Sequence, residues 1–216
     1  KGISKTKLLI NANGKSIPVF IQANQRELKG VKGFVESRGV ISINASNYES
    51  KTEPGNFKWE VVENLGKTEA SVISLPISKG RVALGKRSPK LSYPVNFKSK
   101  GKIKIHMYFA PTINYASRTG MFFGLSIDDE APLLVNYDSD PNIFNYNGKV
   151  PKNWHQNVSD HIKIITTELE IKEPGNHVLN YLRVDEGLVL QKIVIETELS
   201  QLNKTYLGPP ESILIN

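Results

Sequence analysis

The residues best suited to chemistry in this chain are its acids, histidines and loop glycines, and their spacing stops short of each catalytic device. Asp128, Asp129 and Glu130 are adjacent, as are Asp185 and Glu186. Carboxylates that cleave a glycosidic bond face each other across a cleft, about 5–9.5 Å apart. Neighbouring residues of a strand point to opposite faces, so neither cluster makes a facing pair by itself and both read as solvated turns. The histidines are His106, His155, His161 and His177. None pair at the i, i+4 spacing of a helical zinc site, and the chain has no Cys to add a thiolate. His106 alternates onto the polar side of a strand, and His177 follows Gly175-Asn176 where capping or packing explains it. Gly80-x-x-x-x-Gly85-Lys86 imitates a phosphate loop, but Arg87 stands where Ser or Thr must hold magnesium, and no amphipathic helix follows. Asp138-x-Asp140-x-Asn142 opens like a calcium loop, yet Ile143 replaces the turn glycine and Lys149 the bidentate Glu. That segment reads as an acidic loop, with a weak surface calcium site left open. No G-x-S-x-G elbow supports a serine triad. The expectation is no catalytic set, no cofactor and no resident metal.

Aromatics give a softer signal. Tyr137, Phe144, Tyr146 and Trp154 fall in one polar, Asn-rich segment, 137–157. Sugar rings stack on exposed aromatic faces while Asn, Asp and Lys bond the hydroxyls. Tyr137, Tyr146 and Trp154 are therefore the candidate carbohydrate-binding residues. The competing reading has Trp154 plugging the interior and the tyrosines sealing a domain interface.

The elements that must hold these residues are strands. From Lys102 to Phe109 apolar residues fall on every second position, and Ile165, Thr167, Leu169 and Ile171 alternate with Thr166, Glu168 and Glu170. The denser runs His177–Val184 and Leu188–Ile195 read as strands buried on both faces, joined by a turn at Asp185-Glu186-Gly187. Asn13-Gly14 marks a hairpin between Lys7–Ile10 and Ile17–Ile21. Further strands are expected at Val40–Ala45, Trp59–Val62, Ala70–Leu75, Leu91–Phe97, Met121–Ile127 and Leu133–Tyr137. No segment shows a helical stripe. About ten short strands separated by Gly, Pro and Asn turns predict an all-β, two-sheet β-sandwich or jelly roll. The seam lies near Lys29-Gly30-Val31-Lys32-Gly33, giving an N-terminal β-hairpin over 1–32, from the junction with a preceding domain, and a sandwich domain over 33–216.

Bulk properties narrow the class. A chain of 216 residues, 39% hydrophobic and 23% charged, can bury a sizeable core. Its formal net charge of +7 comes from scattered lysines rather than a block, so nucleic acid is not expected as a partner. No apolar run approaches the ~18 residues of a membrane span, and no membrane partner is expected. No signal-peptide pattern is read, and the chain starts at Lys1 without a Met, which reads as a processed or trimmed piece. The absence of Cys excludes a disulfide framework and leaves the compartment open.

The chain ends Tyr206-Leu207-Gly208-Pro209-Pro210-Glu211-Ser212, which resembles the closing motif of the C-terminal domain of glycoside hydrolase family 115, the xylan α-1,2-glucuronidases. Gly33-Phe34-Val35-Glu36 and Val40 to Ala45 resemble the first core strand of that domain. Ala110-Pro111-Thr112, Ser126-Ile127-Asp128-Asp129, Trp154-x-x-x-Val158, His177-x-Leu179, Val184-Asp185 and Val189 to Ile195 follow in the family's order, over about residues 33–212. Departures occur at Ala45-Ser46, where the family has Ala-Glu, and at Asp185-Glu186-Gly187, where it has Asp-Pro-Gly. The last strands also resemble galactose-binding-like jelly rolls, whose structural calcium uses a Glu and an Asp where Ser46 and Gln191 stand here. The resemblance implies a non-catalytic C-terminal β-sandwich whose catalytic acids sit in an absent upstream barrel. Its implied partners are the upstream catalytic domains of the same polypeptide and glucuronoxylan, with a homo-oligomer open, and its implied location is secreted or periplasmic. The alternative is an autonomous carbohydrate-binding module for an acidic plant polysaccharide.

Overall fold

The computed structural model describes residues 2–25, 29–115, 120–138, 153–200, 202, 205 and 207–216. They fall into two compact units, 1–31 and 32–216.

The first unit is a ribbon of β1 (Gly2–Ala12) and β2 (Lys15–Gln25), paired antiparallel in register from Gly2↔Gln25 to Ala12↔Lys15. Its two-residue turn, Asn13-Gly14, holds both residues at positive φ, 47° and 72°. That is the backbone twist a tight hairpin needs, and it explains the choice of Asn and Gly there.

The second unit is a two-layer sandwich. Its strands are β3 (Gly33–Val35), β4 (Val40–Asn44), β5 (Ser50–Thr52), β6 (Lys58–Glu63), β7 (Ala70–Leu75), β8 (Lys90–Phe97), β9 (Gly101–Phe109), β10 (Phe122–Ile127), β11 (Leu133–Asn136), β12 (Lys163–Ile171), β13 (Gly175–Arg183), β14 (Val189–Thr197) and β15 (Leu214–Ile215). The front sheet runs β11-β10-β13-β8-β3-β15, with β5 also on β8, and the back sheet runs β12-β9-β14-β7-β6, with β4 also on β14. Two strands therefore organise the layers. β8 pairs along one edge with β13, while β5 and β3 share its other edge. β14 pairs along one edge with β9, while β7 and β4 share the other. The chain moves repeatedly between layers, as in a jelly roll.

The core lies between the inner faces. Leu91, Tyr93, Val95 and Phe97 of β8 alternate inward and meet Ile103, Ile105, Met107 and Phe109 of β9. An aromatic group fills one end: Phe109 lies 5.1 Å from Phe123 and 5.4 Å from Tyr137, and Trp59 lies 5.5 Å from Tyr181, all tilted or edge-on. These are the geometries that aromatic quadrupoles favour.

After β14 the chain returns over the outer side of the back sheet. Gly208 passes close to the Tyr108 hydroxyl and Val194, and the Pro209 carbonyl accepts from Ser42 Oγ (3.1 Å) and Lys192 Nζ (2.6 Å). Glu211 accepts from the Asn44 N–H (2.7 Å) and from Asn47 Nδ2, and Ser212 Oγ accepts from the Ser42 N–H (3.0 Å). The tail then crosses to the front sheet as β15, beside β3. The closing motif thus acts as a strap: its side chains supply acceptors to the edge of β4, and its end adds a strand to the other layer.

Two features differ from the sequence expectation. A short helix, α1 (Trp154–Asp160), precedes β12, although its Asn- and Ser-containing sequence carries no apolar stripe. The three-residue strands β3 and β5 and the two-residue β15 are held by their neighbours rather than by any alternation of their own. Among the described residues, no helix is long and apolar enough to cross a membrane.

Replacing Glu211 by Ala removes the acceptor for the Asn44 amide. The expected loss is about 1–3 kcal/mol for a charge-assisted bond to a part-buried donor, read as a lower urea midpoint. Glu211→Gln, which keeps one amide oxygen, should lose less.

Candidate functional site

Strand β11 delivers the first of the proposed stacking residues, and it delivers it inward. Val135 and Tyr137 occupy the same face, and both are buried. The Tyr137 hydroxyl accepts from the Thr112 N–H (2.9 Å), its ring meets Phe109 edge-on, and Lys163 Nζ sits 4.0 Å from the ring centroid. Burial raises its phenol far above the ordinary range. With no free ring face, Tyr137 cannot stack on a sugar, and its assignment as a carbohydrate contact is corrected to a core residue. Tyr146 lies outside the described residues, as do Phe144, Asp140, Asn142, Ile143 and Lys149 of the calcium-like loop. Trp154 opens α1 and is half-buried. The helix ends at His161, held in the left-handed region at φ 57°.

Beside Tyr137 lies a charged end of the sandwich. Asp138 accepts from Asn114 Nδ2 (3.3 Å) and lies 3.9 Å from Lys163 Nζ. Burial pushes its carboxyl above the usual range, against the pull of Lys163. Asp185 takes a bidentate grip from Arg81, both contacts 2.8 Å, and also accepts from the Phe122 N–H (2.7 Å). Arg183 is buried, donates to the Gly80 carbonyl (2.8 Å) and lies over the Phe57 ring. Arg81 and Asp185 fix the 80–84 loop to the start of β10. The phosphate-loop imitation at 80–86 accordingly leads into strand β8 and not into a helix.

Asp128, Glu196, His106 and His177 are likewise engaged. Asp128 accepts from the Val178 N–H (2.8 Å) and pairs with His177 Nδ1 (2.7 Å), whose other nitrogen contacts the Glu173 carbonyl. His106 bonds Thr166 Oγ1 (2.8 Å) and lies 3.5 Å from Glu196. Gln191 is the extra residue of an irregularity in β14, between Leu190 and Lys192. Its amide donates to the His161 carbonyl and accepts from the Lys67 N–H, both 2.8 Å. Gln191 thus joins two loops through hydrogen bonds. Among the described residues, no group of three or more His, Asp or Glu side chains could hold a metal.

The outer face of the front sheet carries a different surface. Register places Ser126 of β10, Asn180 of β13, Ser92 of β8 and Ser50 of β5 in one transverse row. Ser92 donates to Asn180 Oδ1 (2.8 Å), and Asn180 Nδ2 donates to Ser126 Oγ (3.2 Å) and to the Asp128 carbonyl (2.8 Å). Gly124 lets Leu84 lie directly on β10, where a Cβ would collide with it. Between that loop and the 128–132 turn is a cleft of about 330 Å³. Ser126 and Asn180 line its floor, Lys86 and Lys90 one part of its rim, and Asp129 and Glu130 another. Such a surface offers hydroxyl, carboxylate and ammonium partners to a polyhydroxylated ligand, and no activated nucleophile. Sequence reasoning missed it. Asn180 interrupts a run read as buried on both faces, and that interruption was the available signal; the register aligning it with Ser92 and Ser126 was not visible.

Comparison with known proteins places the sandwich. The Glycosyl hydrolase family 115 C-terminal domain matches residues 33–211. No curated protein matches the chain in sequence. Among solved structures, it is similar to a family GH115 4-O-methyl-α-glucuronidase with specificity for decorated arabinogalactans. The TM-score is 0.53 at 16% identity over 76% of this chain, and the chain spans 18% of that enzyme's length. Also similar are the C-terminal family 6 carbohydrate-binding module of a marine laminarinase from Zobellia galactanivorans (TM-score 0.46, 16% identity, 73% of this chain and 99% of that one) and a family 35 module from Clostridium thermocellum (0.45, 14%, 72% and 98%).

Asp138 yields a pH prediction. Its carboxyl is raised in the folded state, so the stability it contributes is full below its unfolded value and is lost as pH rises through the folded one. Asp138→Asn removes that loss. The stability of the variant minus that of the natural chain should grow as pH rises above the ordinary Asp value of about 3.9 in urea titrations; a constant or shrinking difference contradicts the assignment.

Proposed function

Because the chain belongs to the glycosyl hydrolase family 115 C-terminal domain family, we propose that it is a non-catalytic accessory domain of an α-glucuronidase-like enzyme, serving assembly and contact with an acidic polysaccharide. The family match over residues 33–211 carries the reading. The catalytic acids belong to upstream domains of the same polypeptide. The acids of this chain support that division of labour: Asp128 and Asp185 are committed to a histidine, an arginine and backbone amides.

The polysaccharide contact is assigned to the front-sheet cleft. Lys86 and Lys90 offer ammonium groups to a uronate carboxylate. Ser126 and Asp129, in the same cleft, supply a hydroxyl and a carboxylate to the ring hydroxyls. A uronate-bearing chain, glucuronoxylan or a decorated arabinogalactan, is the substrate class that this mixture suits. The second reading is an autonomous carbohydrate-binding module. Trp154 favours it, being the aromatic with exposed surface among the described residues of 137–157.

Affinity electrophoresis of the 216-residue chain tests both. Retardation is expected in gels containing glucuronoxylan or decorated arabinogalactan and not in gels containing neutral arabinan. Lys86→Ala with Lys90→Ala should weaken retention about 10-fold, the equivalent of one lost charge-assisted contact of about 1.4 kcal/mol. Should Trp154→Ala abolish retention while the lysine variant keeps it, the contact lies at α1 and the autonomous-module reading gains. Unaltered migration in every gel leaves an architectural domain alone.

A further inference from the structure

The ribbon of the first unit is amphipathic in a way its own two strands cannot resolve. Cross-strand partners share a face, and the register pairs Thr6 with Ile21, Leu8 with Val19 and Ile10 with Ile17. One face is therefore a continuous apolar strip. The other pairs Ile3 with Asn24, Lys5 with Gln22, Lys7 with Phe20, Leu9 with Pro18 and Asn11 with Ser16, a mixed surface whose apolar residues alternate with polar and charged ones. Every residue from 3 to 23 is exposed, the strip included. A two-stranded hairpin in water is marginal unless a further layer covers it, and five aliphatic side chains in register on one face specify where that layer must lie.

We propose that this apolar face docks in cis onto the domain that precedes it in the same polypeptide, fastening the C-terminal sandwich to the rest of the enzyme. This rests on the reading of the chain as the C-terminal part of a longer family 115 protein. Two observations select that occupant. The family match begins at residue 33, so the ribbon stands outside the matched domain and on its upstream side. Its face is also too small for the alternative, a second copy. Eleven residues per strand at about 3.4 Å each, on two strands about 4.8 Å apart, give a footprint of roughly 350 Å². A stable complex between separate chains buries about 800 Å² on each side. A tethered partner needs less area, because linkage supplies a high effective concentration.

Hydrogen exchange of the full-length polypeptide, set beside the 216-residue chain, tests the docking. In the full-length protein, amides of residues 3–23 should exchange at least about 100-fold more slowly than in the shorter chain. Val19→Lys with Ile17→Lys should erase that protection while leaving 33–212 unchanged. Equal exchange of the ribbon in both proteins overturns the docking and leaves the polysaccharide reading standing. Protection in the shorter chain that rises with concentration, with dimers in sedimentation, overturns it in favour of a second copy. A natural polypeptide that encodes nothing upstream removes the shared premise, and both proposals fall.

Discussion

The amides of Ser42 and Asn44 sit on an edge of β4, and the tail from Gly208 to Ser212 supplies their acceptors. Buried or half-buried backbone donors must be paired, and an open strand edge invites pairing with other chains. In this sandwich the solution is a strap rich in proline. Pro209 and Pro210 present no N–H that would itself need a partner; the Glu211 carboxylate and the Ser212 hydroxyl accept from the two amides, and the Pro209 carbonyl accepts from Ser42 Oγ and Lys192 Nζ. The same strap ends as β15 on the front sheet, beside β3. A chain segment that satisfies one layer and extends the other holds the two together along that side, and the cleft on the front sheet depends on that layer keeping its place.

Polar side chains do similar work at the ends of the sandwich. Asp185 is buried yet makes contacts to Arg81 and to the Phe122 amide, which offsets the cost of removing its charge from water. Gln191 joins the end of α1 to the 64–68 loop. Gly66 approaches that amide so closely that any Cβ would collide with it. A neutral amide, with one donor and one acceptor directed at different loops, positions both. Of these contacts, that of Arg81 with Asp185 holds the loop that leads to Lys86 and Lys90 in the front-sheet cleft.

Much of this was legible in residue order. Asn13-Gly14 announces its turn, the alternation of Lys102 to Phe109 announces β9, and the dense runs around Asp185-Glu186-Gly187 announce β13 and β14. Strands β5 and β15 were not legible as strands, and β3 was legible only through its resemblance to the family's first core strand, because two or three residues carry no period and exist only by pairing with β8 or with each other. Helix α1 was invisible for the same reason: seven residues without an apolar stripe are set by tertiary context. Tyr137 was misjudged although its signal was present, since it stands two residues beyond Val135 and shares its inward face. The transverse row of Ser126, Asn180 and Ser92 joins residues 54 and 88 positions apart, a relation that only register reveals.

The central claim is that the front-sheet cleft takes a uronate-bearing saccharide. It is tested most directly by titrating the ¹⁵N-labelled chain with a short glucuronate-substituted xylo-oligosaccharide and following its amide resonances. The account predicts saturable shifts at Lys86, Lys90, Ser126 and Asn180, and none when the oligosaccharide lacks its glucuronate. Resonances that stay fixed in the cleft, or shifts centred on α1 instead, would contradict it.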